Sequence, residues 1–361
     1  MLPSGHCGST IGRKDPIAAS RFPAHPPQTE REHDGLGSGT ARSGNGVLTS
    51  RTLDRLALAV TLGVLFVALY VLYRNVESVR LVDVTDRVQA LPKAGLAAAL
   101  LLTALSYLVL TGYDFLALRY VRLRLRLRDV LLASFIGFAF GNSMGFALVS
   151  GGAVRYRVYS GLGVRPVEIA EIVLFCTVTY ALGFTTVGGL MLALDPRGVA
   201  VLLDISQAIV RMGGLALLGV GAVYLVAVAI RREAIPIGRY CLRLPSFGSG
   251  LMQIAIASVD LVVAGTVFYV LLPPEADVTY RALLGIYVLA GAAALLSLAP
   301  GGLGVFETVV LVMLTDVSKA ASLGALVAYR VIYFLVPLAL AAFCLAVHEI
   351  RRVIRRGILP P

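Results

Sequence analysis

Between Leu56 and Val347 the chain is a succession of apolar runs, most of them near the length a helix needs to cross a hydrocarbon layer. A core of roughly 30 Å takes about 20 apolar residues at helical rise. The runs are Leu56–Tyr73, Gly95–Leu118, Val130–Ser150, Ile169–Leu194, Ile209–Ile230, Gln253–Leu272, Ala282–Leu298 and Ala320–Val347. A further run, Val305–Leu314, is too short to cross. Val76–Leu91 spaces valines among charges at near-helical intervals and reads as a helix lying in the interface. Composition agrees: 58% of residues are hydrophobic, 15% are charged and mean hydropathy is +0.83. Soluble domains hold about 45–50% apolar and about 25% charged residues. The expected fold is an all-α polytopic membrane protein.

Several chemistries are excluded on the same ground. Cys7, Cys176, Cys241 and Cys344 are far apart without a CxxC, and His6, His25 and His33 lie in the polar tail, so neither a disulfide framework nor a metal site is indicated. No HExxH, GxSxG, P-loop or dinucleotide fingerprint occurs, and no cofactor is implied. The net charge of +11 is spread among the apolar runs and their loops, which suits topology and anionic lipid and argues against nucleic acid. Residues 1–50 read as a disordered cytosolic tail or a start assigned too early. Residues 51–350 form the membrane domain, and 351–361 a basic cytosolic C-terminus.

Eight plain crossings would leave almost no inside–outside bias in Lys and Arg. Bias returns if Val130–Gly163 is a re-entrant hairpin from the inside and Ala282–Leu314 one from the outside. The expected topology is therefore six crossings, two inverted hairpins and both termini in the cytoplasm. The hairpin tips are placed at Gly151-Gly152, followed by Arg155-Tyr156-Arg157, and at Pro300-Gly301-Gly302-Leu303-Gly304, followed by Glu307. Glycine and proline permit such turns, and broken helices entering from opposite faces are a transporter pattern with sites near the midplane.

Charge inside a bilayer costs several kcal/mol and calls for a role or a partner. Asp114, Asp260, Glu307 and Arg330 all fall within apolar segments. Asp114 either serves a site or pairs at the surface with Arg119. Asp260 and Arg330 either serve a site or hold helices together as an ion pair. Glu168 and Glu171, just after Pro166, read as helix caps. Arg155 and Arg157, flanking Tyr156 beside glycines, suit phosphate binding or simple orientation. The alternating Arg122–Arg128 run reads as a lipid-surface anchor.

The stretches Leu101-Leu102-Thr103-Ala104-Leu105-Ser106-Tyr107, Gly151-Gly152-Ala153-Val154-Arg155-Tyr156-Arg157, Ala299-Pro300-Gly301-Gly302-Leu303-Gly304-Val305-Phe306-Glu307 and Tyr329-Arg330-Val331-Ile332-Tyr333 resemble, in order, the membrane region of the lysylphosphatidylglycerol synthetase/flippase family, which includes the multiple peptide resistance factor. The resemblance covers most of residues 51–350. Where many relatives carry a His before the second motif's proline, this chain has Ser297-Leu298-Ala299. Ending at Pro361, the chain is expected to lack the family's transferase domain.

The resemblance implies a stand-alone lipid flippase in a bacterial inner membrane. It would move an aminoacylated phosphatidylglycerol outward and contribute to antimicrobial-peptide resistance. In that reading Arg155, Arg157 and Tyr156 hold the lipid phosphate, while Glu307, Asp260 and Asp114 hold headgroup amines. Gly151, Gly152, Pro300, Gly301, Gly302 and Gly304 form the tips and hinges, and Arg330 partners a carboxylate. The other readings are a scaffold for a separate lipid aminoacyl transferase, a flippase for another lipid such as a polyprenyl-linked glycolipid, and an enzyme. An oligomer is compatible with each.

Overall fold

The computed structural model describes residues 93–356 except 145–146, 231–234, 238–239, 243, 274–275, 277, 298–301 and 315–316. The expected tail, the run Leu56–Tyr73 and the interface helix Val76–Leu91 lie outside the described residues, as do the last five residues of the basic C-terminus.

The described residues are helical apart from one short ribbon. The chain runs α1 (Lys93–Tyr120), α2 (Leu127–Met144), α3 (Ala147–Ser160), α4 (Pro166–Leu194), α5 (Arg197–Leu203) and α6 (Gln207–Ile230). The antiparallel ribbon β1 (Ile235–Ile237) and β2 (Tyr240–Leu242) follows, then α7 (Phe247–Tyr269), α8 (Tyr280–Leu296), α9 (Val305–Met313), α10 (Lys319–Tyr329), a π-helical turn over Arg330–Leu335 and α11 (Val336–Arg356). Helices α1, α4, α6, α7 and the continuous stretch Ala321–Arg351 are each long and apolar enough to cross a membrane.

Local chemistry sets the boundaries. Pro166 opens α4 at a position where its missing N–H is harmless, and Pro196 follows its end. Ser246, Thr279 and Ser318 cap α7, α8 and α10 by accepting the amide three residues on. The π-helical turn has a covalent cause. Pro337 has no N–H to offer the Tyr333 carbonyl, so the ladder slips by one residue, and Val336 N–H donates to Val331. The freed Tyr333 carbonyl accepts instead from the Tyr107 hydroxyl at 3.4 Å.

Two antiparallel helix pairs, α2–α3 and α8–α9, organise the bundle. Helix α1 runs antiparallel to α7, with Gly95 against Val270 and Ser106 against Asp260. An order of helix, hairpin, helix (α1, α2–α3, α4) is thus repeated in the opposite direction by α7, α8–α9 and α10–α11. Each hairpin has its own core. Tyr113, Phe140, Tyr159, Ile172 and Leu338 surround the first; Phe268, Leu283, Tyr287, Leu326 and Tyr329 surround the second. Helix α6 lies at the periphery, with Met212, Val223 and Ile230 exposed. It approaches α4 closely because a Cβ on Gly189 would sit 2.7 Å from the Gly214 carbonyl oxygen.

One expected tip is displaced. Gly151 and Gly152 lie inside α3, whose first turn begins at Ala147. Their smallness serves packing, since a Cβ on Gly151 would stand 2.8 Å from the Gly137 carbonyl oxygen of α2. The segment of the second expected tip joins α8, which ends at Leu296, to α9, which begins at Val305. Gly302 and Gly304 there have φ of +64° and +82°, and Pro300 and Gly301 lie outside the described residues.

Candidate intramembrane ion-pair site

Among the described residues, three arginine–carboxylate pairs form inside the bundle. The Arg155 guanidinium grips Asp114 with both branches, Nε to Oδ1 at 3.0 Å and Nη2 to Oδ2 at 2.9 Å. The Tyr159 hydroxyl donates to the same carboxylate at 3.0 Å, and the guanidinium lies 4.4 Å from the Phe138 ring centre. Asp114 is wholly buried and Arg155 is 4% exposed. This fork-to-fork geometry, backed by a hydroxyl and an aromatic face, is what a buried pair needs to offset desolvation.

Arg157 makes the second pair, bidentate to Glu349 of α11 at 2.8 and 2.5 Å. Residues two apart on a helix point about 200° apart, so Arg155 faces α1 while Arg157 faces α11. The expected joint grip of these two arginines on one phosphate is therefore not how they stand; each holds its own carboxylate. Tyr156 is exposed. Asp114 pairs across helices with Arg155 and not, as one reading of the sequence had it, at the surface with Arg119.

The third pair joins Glu307, in the first turn of α9, to Arg330, the first residue of the π-helical turn. The other Glu307 oxygen accepts the Gly304 amide at 2.8 Å, capping the short helix. Arg330 does partner a carboxylate, as expected. Glu168 also caps its helix, accepting the Arg165 amide at 3.0 Å. The π-helical turn touches both hairpins, because its Phe334 carbonyl lies 3.5 Å from the Ser143 hydroxyl near the end of α2.

Asp260 has no cationic partner among the described residues. It is buried at the α1–α7 contact and accepts from Ser106 at 2.9 Å and Tyr113 at 3.2 Å. Ser106 has a single proton and spends it on Asp260, so Tyr333, 2.9 Å away, donates to Ser106. Stacked Tyr329 and the Tyr287–Tyr329 hydroxyl contact at 2.9 Å extend this aromatic cluster into the second core.

Sequence reasoning did not find Glu349, Tyr159, Tyr113, Ser106 or the π-helical turn. Only Pro337, eight residues past Tyr329 in an otherwise helical run, gave a readable signal for the last of these. Among the described residues no group of three metal-ligating side chains forms.

The fold and these pairs define a multi-pass helical membrane protein with charge pairs held in its interior. The chain belongs to the family described as the lysylphosphatidylglycerol synthase TM region, whose model matches residues 56–341. It is 38% identical over 263 residues to an uncharacterised protein of Synechocystis sp., covering 73% of this chain and 82% of that one. It is 34% identical over 263 residues to inner membrane protein YbhN of Escherichia coli, covering 71% and 81%. It is 25% identical over 320 residues to phosphatidylglycerol lysyltransferase of Staphylococcus xylosus, covering 86% of this chain and 36% of that protein.

Proposed function

We propose that the protein translocates a phospholipid bearing both phosphate and amine, with lysyl-phosphatidylglycerol the first candidate, from the inner to the outer leaflet of a bacterial inner membrane. The observation that carries this reading is the set of three interior arginine–carboxylate pairs, each with one member on a hairpin that meets the π-helical turn. A headgroup with a phosphate and an ammonium can replace such a pair contact for contact. The phosphate takes the guanidinium, the ammonium takes the carboxylate, and no charge is left bare in a medium where that costs several kcal/mol. Lysyl-phosphatidylglycerol, with one phosphate and two amines, has a net charge of about +1.

In this reading the α2–α3 and α8–α9 hairpins are re-entrant, and both termini are cytoplasmic. Glu307–Arg330 and Arg157–Glu349 are the pairs that open, because their side chains are 10–19% exposed and so closest to entering headgroups. Asp114–Arg155, sealed by Tyr159 and Phe138, holds the first hairpin in place. Asp260 offers an amine a carboxylate already oriented by two hydroxyls. The protein acts as a transporter and not as an aminoacyl transferase, although a separate transferase is a fitting partner.

The test is flipping in proteoliposomes, lysyl-phosphatidylglycerol against phosphatidylglycerol, for wild type, Arg157→Ala and Glu307→Gln. Wild type should move the lysyl lipid faster, and each variant should lose at least about tenfold, the worth of one charge-assisted contact. Equal rates for every lipid and variant overturn the reading. Co-purification of a lipid aminoacyl transferase with unaltered function in both variants would turn it toward a scaffold.

A further inference from the structure

A cavity of about 540 Å³, lined by none of the residues of the three pairs, lies between α4, α5, α6, α8 and the end of α9. Its depth is mostly apolar, lined by Phe184, Met191, Leu217, Ile286 and Leu289 with Thr185 among them. Its mouth is polar, where Asp195 closes α4, Arg197 opens α5 and Arg281 stands in the first turn of α8. From Arg281 down to Ala292 along α8 the lining runs roughly 16 Å at helical rise. That depth accommodates most of a fatty acyl chain.

The two mouth arginines differ from those of the interior. Arg155, Arg157 and Arg330 are each held by a carboxylate, whereas Arg197 and Arg281 are exposed and make no ion pair with a described residue. Two free guanidiniums above an apolar slot match a phosphate above a hydrocarbon tail. Asp195 beside them opposes a dianion, so the match is to a phosphodiester with its single charge. Glycine keeps the slot open: a Cβ on Gly285 would come no nearer than 3.8 Å to another side chain, so the space beside it is real volume.

We infer that this cavity is a binding site for one acyl chain of a phosphodiester lipid, whose phosphate rests on Arg197 and Arg281. It opens at the end of the bundle where α4 finishes and α8 begins. With cytoplasmic termini, that end faces the outer leaflet, so the cavity would receive lipid that has passed the interior pairs. This purpose rests on the translocation reading; the occupancy does not.

The experiment is photolabelling of the full chain in nanodiscs containing trace phosphatidylglycerol with a photoactivatable group at one acyl end. Labelled peptides are located by mass spectrometry. Label is expected on 184–192 and 282–292. Gly285→Leu, which fills the slot while favouring the helix, should cut that label about tenfold and leave label on lipid-facing Val220 and Val223 of α6 unchanged. Ala292→Leu provides a second filling at the deep end. Joint Arg197→Gln and Arg281→Gln should raise the unlabelled phosphatidylglycerol needed for competition about tenfold, with diacylglycerol a poor competitor throughout. Label spread evenly over exposed apolar helices and indifferent to both fillings overturns the site. Diacylglycerol competing as well as phosphatidylglycerol overturns the phosphate assignment. Because labelling reads occupancy without transport, loss of flipping with label retained would count against the translocation reading alone.

Discussion

The two hairpins look alike in sequence, each with a glycine pair followed by charge, yet they are built on different principles. In α2–α3 the glycines are helical and let two backbones touch, with Gly151 against the Gly137 carbonyl. Its arginines reach carboxylates on other helices, and Asp114–Arg155 is sealed from solvent. In α8–α9, Gly302 and Gly304 stand at positive φ between the two helices, and the charge delivered is a carboxylate. That pair is part exposed and rests on a π-helical turn. A tightly packed hairpin with a sealed pair is a fixed element. A hairpin hung on a glycine turn and a slipped helix has a lower barrier to rearrangement.

The largest expected effect separates them directly. Asp114→Asn leaves a buried guanidinium half satisfied and should cost about 3–5 kcal/mol, read as a fall in Tm of the detergent-solubilised protein. Glu307→Gln keeps the Gly304 cap and leaves Arg330 a route to water; it should cost about 1 kcal/mol yet depress flipping more than Asp114→Asn does per folded molecule. Equal Tm losses would mean both hairpins are equally fixed.

Glycine substitutions come next. Gly151→Ala drives a Cβ against a carbonyl oxygen at 2.8 Å and should cost about 1–3 kcal/mol, rising through Ser to Val because volume is the cause. A Cβ at Gly304 meets nothing within 4 Å, so Gly304→Ala suffers only from its φ of +82°. That should cost about 1–2 kcal/mol, and Ser should cost no more than Ala. A steep size series at both positions would erase the distinction.

Much of the architecture was legible because bilayer arithmetic is local. The runs ending at Leu118, Leu194, Ile230 and Leu272 became α1, α4, α6 and α7, and Val305–Leu314 became the short α9. Antiparallel helix pairs stand at both stretches that loop charge bias marked as hairpins, while their re-entrance belongs to the proposal. The exchange of partners was not legible. Asp114 lies five residues from Arg119 but forty-one from Arg155, and only the folding back of α2–α3 makes the distant residue the near one. Glu349 sits beyond the last apolar run with nothing local to single it out, and only the packing of α3 against α11 brings it to Arg157. Gly151-Gly152 misled because glycine serves close packing and chain reversal equally well, and sequence does not distinguish a small residue from a bent one.

The smallest expected effect concerns two glutamates with one local geometry. Glu168 and Glu307 each stand at the third helical position, accept the amide of the residue that precedes the helix and pair with an arginine. The Arg165 side chain is 78% exposed, whereas Arg330 is 14% exposed. Water and salt screen the first pair almost entirely, while the second keeps most of its attraction. Arg165→Gln should therefore leave Tm and flipping unchanged, and raising salt toward 1 M should alter neither wild type nor variant. Arg330→Gln should lower flipping at every salt concentration, because it removes the group that opposes Glu307 inside the bundle. If Arg165→Gln impairs flipping as much as Arg330→Gln, then a capping glutamate paired to any arginine suffices, and burial is not what distinguishes the interior pairs.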